Sequence, residues 1–257
     1  MSVPTIVVHR DADVLAKAVA ARIITRLVDA QSATGSASLV LTGGTVGTAT
    51  LAAIAATPAR DAVDWPRLDI WWGDERFLPS GDPERNETGA RRALLDQVDV
   101  DPERVHVMLG PDSGLTAEEA ADAYATEVRK AARPEDHGPA PSFDVMLLGM
   151  GPDAHVASLF PGMPALYDTR PVVAVHGSPK PPPTRISLTL PVIQASREVW
   201  VIAAGEEKSG AVRLALSESG PVQVPAAGAR GRGRTLFLLD RAAAGKIPPG
   251  LGRIASP

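Results

Sequence analysis

Short apolar runs, many of them rich in β-branched residues, recur along the chain, and segments with helical spacing of apolar residues separate many of them. Such runs are typical of buried strands in a parallel sheet. We predict strands at residues 5–8, 38–41, 68–72, 105–108, 143–148, 172–175, 185–190, 199–203 and 235–239. The clearest helical segments are 11–33, with an acidic start, and 116–132, which opens Thr-Ala-Glu-Glu as a capped helix does. This alternation predicts an α/β fold with a doubly wound, mostly parallel sheet.

Two proline-rich stretches, 134–141 and 179–183, interrupt this pattern. Strand-like sequence resumes directly after each, so we interpret them as surface loops and not as linkers between domains. The Gly/Arg-rich segment 226–234 is predicted to be a mobile surface loop. Because α/β chains of 257 residues commonly form one domain, we expect a single α/β domain over residues 1–257.

Composition narrows the class of protein. The formal net charge is −4 and 44% of the residues are hydrophobic, so the chain lacks the basic excess of a general nucleic-acid binder. The absence of cysteine excludes disulfides, thiolate catalysis and cysteine-bound metals. No secretory signal precedes the first predicted strand, and no apolar stretch reaches the roughly 18 residues of a membrane span. We therefore expect a soluble, cytoplasmic protein with no nucleic-acid or membrane partner.

Four predicted strands end in residues suited to chemistry, at the edge where parallel sheets bind ligands. The strand at 38–41 runs into Gly43, Gly44 and Thr45 and then into a helical pattern. Glycines let main-chain N–H groups approach an anion, and the start of a helix favours negative charge. The same residues are equally consistent with a tight strand-to-helix turn. No Walker lysine follows, so ATP hydrolysis is not indicated.

The second of these four strand ends follows residues 68–72 and contains Asp74, Glu75 and Arg76. We expect at least one of these charged side chains to face the ligand cleft. An ion pair between Arg76 and an acid explains the same residues equally well. The Asn-Glu pair at 86–87 is interpreted as the start of a helix that reaches residue 95, and not as a ligand contact.

The third of these strand ends lies in residues 143–162, where Asp153 and His155 lie on a glycine-containing turn directly after an apolar run. The turn also fits the dinucleotide pattern G-x-G-x-x-A, with Asp168 near the expected position of a ribose-binding acid. We reject that interpretation because a pyrophosphate site needs a full helix, and the Pro-Gly pair at 161–162 stops a helix after about two turns.

The fourth pair of candidates is Arg185, at the start of a predicted strand, and Lys208, at the start of the helix after the strand at 199–203. Together they could clamp a phosphate, although either cation alone is more typical of a solvated surface. The remaining histidines lack a comparable glycine and acid neighbourhood. We treat as structural His9, His106, His137 and His176.

These segments also match known motifs: Leu-Thr-Gly-Gly-Thr at 41–45, Trp-Gly-Asp-Glu-Arg at 72–76, Leu-Gly-Met-Gly-Pro-Asp-Ala-His-Val-Ala-Ser-Leu-Phe-Pro at 148–161, Arg-Ile-Ser-Leu-Thr at 185–189 and Gly-Glu-Glu-Lys at 205–208. In this order, and over nearly the whole chain, the sequence resembles the 6-phosphogluconolactonase family, within the fold shared with glucosamine-6-phosphate deaminases and ribose-5-phosphate isomerases. The family usually has glycine and threonine beside its histidine, where this chain has Ala154 and Val156. Alanine is a small change unless that residue requires a positive φ.

The resemblance implies hydrolysis of 6-phospho-D-glucono-1,5-lactone to 6-phospho-D-gluconate in the oxidative pentose phosphate pathway, with no cofactor and no metal. His155 would be the general base that activates water, and Asp153 or Asp74 would orient the imidazole or the water. Arg76 would stabilise the oxyanion. The phosphate-binding residues are expected to be Gly43, Gly44, Thr45, Arg185 and Lys208. Pathway logic places glucose-6-phosphate dehydrogenase before this step and 6-phosphogluconate dehydrogenase after it.

Two alternatives stay open. The first is a sugar-phosphate isomerase or deaminase on the same fold. The resemblance counts against it, because the deaminases carry a glutamate five residues beyond their equivalent of His155, and this chain has Phe160, which cannot shuttle a proton. The second is a non-catalytic sugar-phosphate sensor. Such regulators usually append a DNA-binding module, and we expect no such module before the first strand.

Overall fold

The computed structural model describes residues 2–136, 138–217 and 219–255, and this part of the chain contains ten strands. Their bounds are β1 Pro4–His9, β2 Ala37–Leu41, β3 Leu68–Trp72, β4 Asp74–Arg76, β5 Val145–Gly149, β6 Val172–Val175, β7 Arg185–Leu188, β8 Glu198–Ala203, β9 Arg234–Asp240 and β10 Arg253–Ala255. Seven of them form one sheet in the order β10-β1-β9-β8-β5-β2-β3, and every neighbouring pair is parallel. The other three form a small antiparallel sheet in the order β4-β7-β6.

The helices begin close to the predicted positions. Their bounds are α1 Ala12–Thr34, α2 Gly44–Ala56, α3 Asn86–Ala93, α4 Ala117–Ala131, α5 Leu190–Ala195, α6 Ser209–Ala215 and α7 Pro225–Gly228. Asp11 caps α1 by accepting the N–H of Val14, and Thr116 and Glu119 form a reciprocal capping box at the start of α4. No helix of the described ranges combines the length and the apolarity that crossing a bilayer requires.

Two apolar cores lie on opposite faces of the large sheet, because alternate side chains of a strand point to opposite sides. In β8, Trp200 and Ile202 pack with the buried face of α1, whereas Val199 and Val201 pack with α4 and α6. Helices therefore cover both faces. The predicted α/β class with a doubly wound, mostly parallel sheet is confirmed.

Three local predictions were wrong. Residues 105–108 form only one bridge, between Val105 and Ile70, and not a strand. The strand beginning at 185 ends three residues later, because a proline in the first turn of α5 redirects the chain. Segment 226–234 is not a surface loop throughout: it begins within α7, and Ala226 and Ala229 are fully buried, since small side chains allow close packing. His137 lies outside the described residues.

Candidate active site

The predicted chemical residues converge at the carboxyl ends of β2 and β5, which are neighbours in the large sheet. From β2 the chain continues outward to β3, and from β5 it continues in the opposite direction to β8 and β9. This is the topological switch point at which open α/β sheets bind ligands. The two strand ends are joined directly, because the N–H of Gly149 donates to Thr42 Oγ1 over 3.1 Å.

A cleft of about 250 Å³ opens at this point. Seven of the nine predicted site residues line it: Gly43, Gly44, Asp74, Arg76, His155, Arg185 and Lys208. Thr45 lies instead on an adjoining cavity of about 430 Å³, which shares both glycines with the cleft. Asp153 does not line the cleft, but its carboxylate contacts His155, which does.

The contact between Asp153 and His155 is short, with 2.5 Å between Asp153 Oδ1 and His155 Nδ1. Burial opposes ionisation of Asp153, but the hydrogen bond and electrostatic interaction with His155, together with the positive charge of Lys180, outweigh it and lower the pKa of Asp153 to about 2. Lys180 Nζ lies 4.0 Å from the same carboxylate oxygen. Asp153 is therefore a permanent anion at neutral pH, suited to hold the imidazole in one tautomer.

The histidine is packed as well as hydrogen bonded. Its ring centroid lies 4.5 Å from that of Phe160, which is fully buried. On its other side it lies against Gly151, where a Cβ atom would come within 2.1 Å of the imidazole. Glycine at 151 is thus required for the imidazole to occupy this position.

The turn that carries the histidine contains two alanines with left-handed backbone, Ala154 at φ 65° and Ala157 at φ 49°. The sequence departs from the family at Ala154, and the departure falls at a residue where φ is positive. Ala154 is also anchored from outside the turn, because its carbonyl accepts the N–H of Ala226 over 3.0 Å. The surrounding structure therefore holds a conformation that alanine alone disfavours.

Asp74 has a different environment from Asp153. Ser158 Oγ donates to Asp74 Oδ2 over 2.7 Å, and Arg185 Nη1 lies 3.9 Å from the same oxygen. No hydrogen bond joins Asp74 to His155 within the part of the chain that the structure describes. Of the two acids predicted to orient the histidine, Asp153 is the one in contact with it. Asp74 instead provides a counter-charge for Arg185 and anchors the loop that carries His155.

Cationic side chains dominate the rest of the cleft. Arg185 is 5% exposed and donates to the carbonyls of residues 180–182 at 3.1 to 3.2 Å. Burial lowers the pKa of Arg185 despite the opposing charge of Asp74. Burial also lowers the pKa of Lys208, and the neighbouring Lys180 lowers it further. Cations held this close together and partly desolvated are suited to binding a multiply charged anion.

The start of α2 adds main-chain donors to these cations. Its N-cap residue, Gly43, has extended backbone, and no side chain caps the helix. The first N–H groups of the helix could therefore donate to an anion, and anion binding at this position stays a prediction. A Cβ atom at Gly43 would lie 1.9 Å from Asn86 Oδ1, so a larger residue there would displace the Asn86 side chain.

The side chains of Asn86 and Lys180 also line the cleft, and the sequence analysis did not include them among the site residues. Asn86 begins α3 as predicted, but its Nδ2 also donates to the main-chain oxygen of Asp74 over 2.8 Å, which brings the side chain to the cleft. Lys180 lies in a proline-rich stretch that was interpreted as a surface loop. Its proximity to the Arg185 motif was the available signal. Arg76 lines both cavities, and its Nη1 donates to the carbonyl of Glu84.

No group of three or more His, Cys, Asp or Glu side chains is arranged to hold a metal ion in ranges 2–136, 138–217 and 219–255. The expectation of metal-independent chemistry stays a prediction.

Comparisons with known proteins agree with this geometry. A family model described as glucosamine-6-phosphate isomerases/6-phosphogluconolactonase matches residues 10–237. The chain is 62% identical over 251 residues to a 6-phosphogluconolactonase of Streptomyces coelicolor, with 96% of each chain covered. It is 48% identical over 247 residues to one of Mycobacterium tuberculosis, with 95% of this chain and 98% of the other covered. The solved structure of 6-phosphogluconolactonase from Trypanosoma brucei matches with a TM-score of 0.82 at 29% identity, covering 95% of this chain and 99% of that one. The chain therefore belongs to the family of glucosamine-6-phosphate isomerases and 6-phosphogluconolactonases.

Proposed function

We propose that the cleft hydrolyses 6-phospho-D-glucono-1,5-lactone to 6-phospho-D-gluconate, a step of the oxidative pentose phosphate pathway. The observation that carries this proposal is the 2.5 Å contact between Asp153 and His155 in a cleft lined by cations. A histidine oriented by a carboxylate is suited to activate water, and the cations are suited to a phosphate ester. The 62% identity to a curated 6-phosphogluconolactonase supports the same reaction.

The substrate phosphate is placed at the start of α2, against Gly43, Gly44 and Thr45, with Arg185 and Lys208 as its cationic partners. Thr45 stands at the boundary between the cleft and the adjoining cavity. Phosphate binding fixes the sugar at a point remote from the bond that breaks. Binding energy is thereby used to hold C1 in position for attack.

The chemistry follows from the hydrogen bond of the histidine. When His155 Nδ1–H donates to Asp153, Nε2 is left to accept a proton from water. The water oxygen then bonds to C1, and Arg76 stabilises the negative charge that develops on the carbonyl oxygen. The bond from C1 to the ring oxygen breaks, and the imidazolium returns its proton to that oxygen, which becomes the C5 hydroxyl. The products are accounted for without a cofactor.

Phe160 favours hydrolysis over deamination. It is buried and packs on His155, in the position where the deaminases of this fold carry a glutamate. A phenyl ring packs the imidazole in place but cannot carry the proton that opening of an amino sugar requires. His155, held by Asp153, supplies the base that lactone hydrolysis requires.

The test is lactone disappearance, with substrate generated in situ by glucose-6-phosphate dehydrogenase and a protein-free reaction as the control for spontaneous hydrolysis. We expect the wild type to accelerate the decay and His155→Ala to lose about 100- to 10,000-fold in kcat, the usual contribution of a general base. His176→Ala is a matched control, because His176 is exposed and pairs with Glu118 away from the cleft.

Near-normal turnover by a folded His155→Ala protein would remove His155 from the mechanism. Decay at the spontaneous rate with wild-type protein would reject lactone hydrolysis. Ammonia release from glucosamine 6-phosphate would then identify a deaminase, and binding of 6-phosphogluconate without turnover would identify a sensor.

We further propose that the enzyme works in the cytoplasm between two dehydrogenases. Glucose-6-phosphate dehydrogenase would supply the lactone, and 6-phosphogluconate dehydrogenase would consume the product. Cell fractionation followed by the lactone assay tests this location, and activity confined to the membrane fraction would contradict it.

A further inference from the structure

Glu75 is a buried carboxylate beside the cleft for which the proposed reaction has no role. It is 1% exposed and does not line the cleft, although it lies between two residues that do, Asp74 and Arg76. Its carboxylate accepts three main-chain N–H groups. Arg76 N lies 2.8 Å and Asn86 N 2.7 Å from Oε1, and Glu87 N lies 2.8 Å from Oε2.

Two of these donors belong to the first turn of α3. The N–H groups of a first turn have no partner inside the helix, and the residue before α3, Arg85, makes no side-chain cap. Glu75 provides the missing cap from β4, a separate element. Its negative charge also lies at the positive end of the helix dipole.

Burial makes the ionised form of Glu75 energetically unfavourable. Burial raises the pKa of Glu75 to about 7, and the three N–H groups and the Arg85 guanidinium offset only part of that effect. Arg85 is itself 2% exposed, with Nε 3.8 Å from Glu75 Oε2, and it donates to the carbonyls of Leu78 at 2.9 Å and Met108 at 2.6 Å. An ionisable group retained in so unfavourable a place points to a role that an apolar residue could not fill.

That role is visible in the two donors that share Oε1. Arg76 lies on β4 and Asn86 at the start of α3, and both side chains line the cleft. We infer that Glu75 is a positioning residue: by holding the main chain of Arg76 and Asn86 on one oxygen atom, it sets the placement of the Arg76 guanidinium opposite the histidine-bearing turn. The inference rests on the proposed function, in which Arg76 stabilises the oxyanion.

Glu75→Gln tests the inference, because glutamine matches the shape of glutamate but turns an NH₂ group toward a main-chain N–H. Misplacing a group that acts in the transition state lowers kcat more than it changes KM. We expect a loss in kcat of about 10-fold or more, with KM within about 3-fold of the wild-type value. Glu198→Gln is the control. Glu198 pairs with Arg26 at the amino end of β8, whereas the cleft lies at the carboxyl ends of the strands, so this substitution is expected to leave kcat unchanged.

A double-mutant cycle separates positioning from general stability. In an Arg76→Ala background, Glu75→Gln should lower kcat by less than about 3-fold, since the group it positions is already absent. An equal loss in both backgrounds, or an unchanged kcat in the single variant, would overturn the inference while leaving the lactonase proposal intact. Failure of wild-type protein to accelerate lactone decay would instead reject the proposed function.

Hydrogen exchange provides a readout that does not depend on turnover. Exchange of the Arg76, Asn86 and Glu87 amides should be faster in Glu75→Gln than in wild type, and unchanged in Glu198→Gln. Equal protection of these amides in both proteins would overturn the inference. Glu75→Asp, which keeps the charge, serves if the glutamine variant does not fold.

Discussion

Ala154 occupies a left-handed conformation in which a side chain costs about 1–2 kcal/mol, and it does so within a packed turn. In Ala154→Gly, relief of this strain should offset the lost methyl burial, about 0.8 kcal/mol, and the added freedom of the unfolded chain, about 0.4–1 kcal/mol. We expect the free energy of unfolding in urea to stay within about 0.5 kcal/mol of the wild type.

Ala125→Gly is the matched control. Ala125 is as deeply buried but lies within α4, so its replacement has no strain to relieve and should cost about 2 kcal/mol. Equal losses in the two variants would show that the turn stores no strain at 154.

Asp153 makes stability depend on pH in the acid range. Its pKa is about 2 in the folded protein against an ordinary value of 3.8, so the folded state favours the ionised form. The stabilisation is complete above pH 4 and is lost as the pH falls from about 4 to 2. The free energy of unfolding of Asp153→Asn should therefore lie below that of wild type at pH 6, and the difference should shrink toward pH 2.

Asp13→Asn serves as a control for this pH series. Asp13 pairs with Lys17 in the open, with side chains 73% and 67% exposed, and such pairs contribute little. If Asp153→Asn ran parallel to wild type across the acid range, the contact with His155 would have no energetic weight.

At the scale of single residues, the sequence predicted the candidate catalytic and binding residues better than it predicted the contacts around them. Asp153, His155 and Arg185 were found because an acid, a base or a cation at a strand end is informative by itself. Lys180 was not, because its position depends on where distant segments lie, and strain at Ala154 was raised only as a condition, through the glycine that the family usually has there. The positive φ at 154 is accompanied by a hydrogen bond from the distant Ala226, a contact that no local sequence pattern reports.

The pairing of β4 with β7 is the element on which the cleft most depends. Its register sets Arg76 opposite Arg185 and Asp74 opposite Ser187. The pair joins segments more than 100 residues apart, and β4, with three residues, is too short to be recognised by periodicity. The sequence therefore predicted the residues of β4 as chemical candidates but not as a strand.

Arg185 provides a test of this element. Arg185→Ala removes a charged partner of the phosphate, a loss of about 1.5–3 kcal/mol that corresponds to a KM about 10- to 100-fold higher, with a smaller change in kcat. Some stability should also be lost, because Asp74 remains buried without its neighbour. Steady-state kinetics on the folded variant measure the effect.

Arg170→Ala is the corresponding control. Arg170 is exposed and pairs with Asp168 outside the cleft, so the KM of the Arg170→Ala variant should equal that of wild type. An unchanged KM in Arg185→Ala would remove Arg185 from the phosphate site.

For the whole molecule, the alternation of apolar runs and helical segments was sufficient to predict the doubly wound sheet. The order of its strands was not predictable, because parallel neighbours such as β1 and β9 are distant in sequence. The prediction at 105–108 was wrong because this segment meets the edge strand β3 at only one bridge, between Val105 and Ile70, and makes no further ladder with it.

The expectation of a single domain over residues 1–257 stays a prediction, and unfolding tests it. The two cores share one sheet, so neither should persist without the other. Urea unfolding followed by tryptophan fluorescence and by far-UV circular dichroism should give coincident transitions. The probes are well distributed, with Trp72 and Trp200 in one core and Trp71 in the other. Two separated transitions would indicate independent units.

The residues that line the cleft come from positions 42 to 208 and from both sheets. It cannot exist until β2, β5 and β8 have paired, and pairings between strands so distant in sequence form slowly. We therefore expect partly folded chains to have no activity, and not a reduced activity. In a refolding experiment, recovered turnover marks the completion of the fold, whereas helix content reports only its beginning.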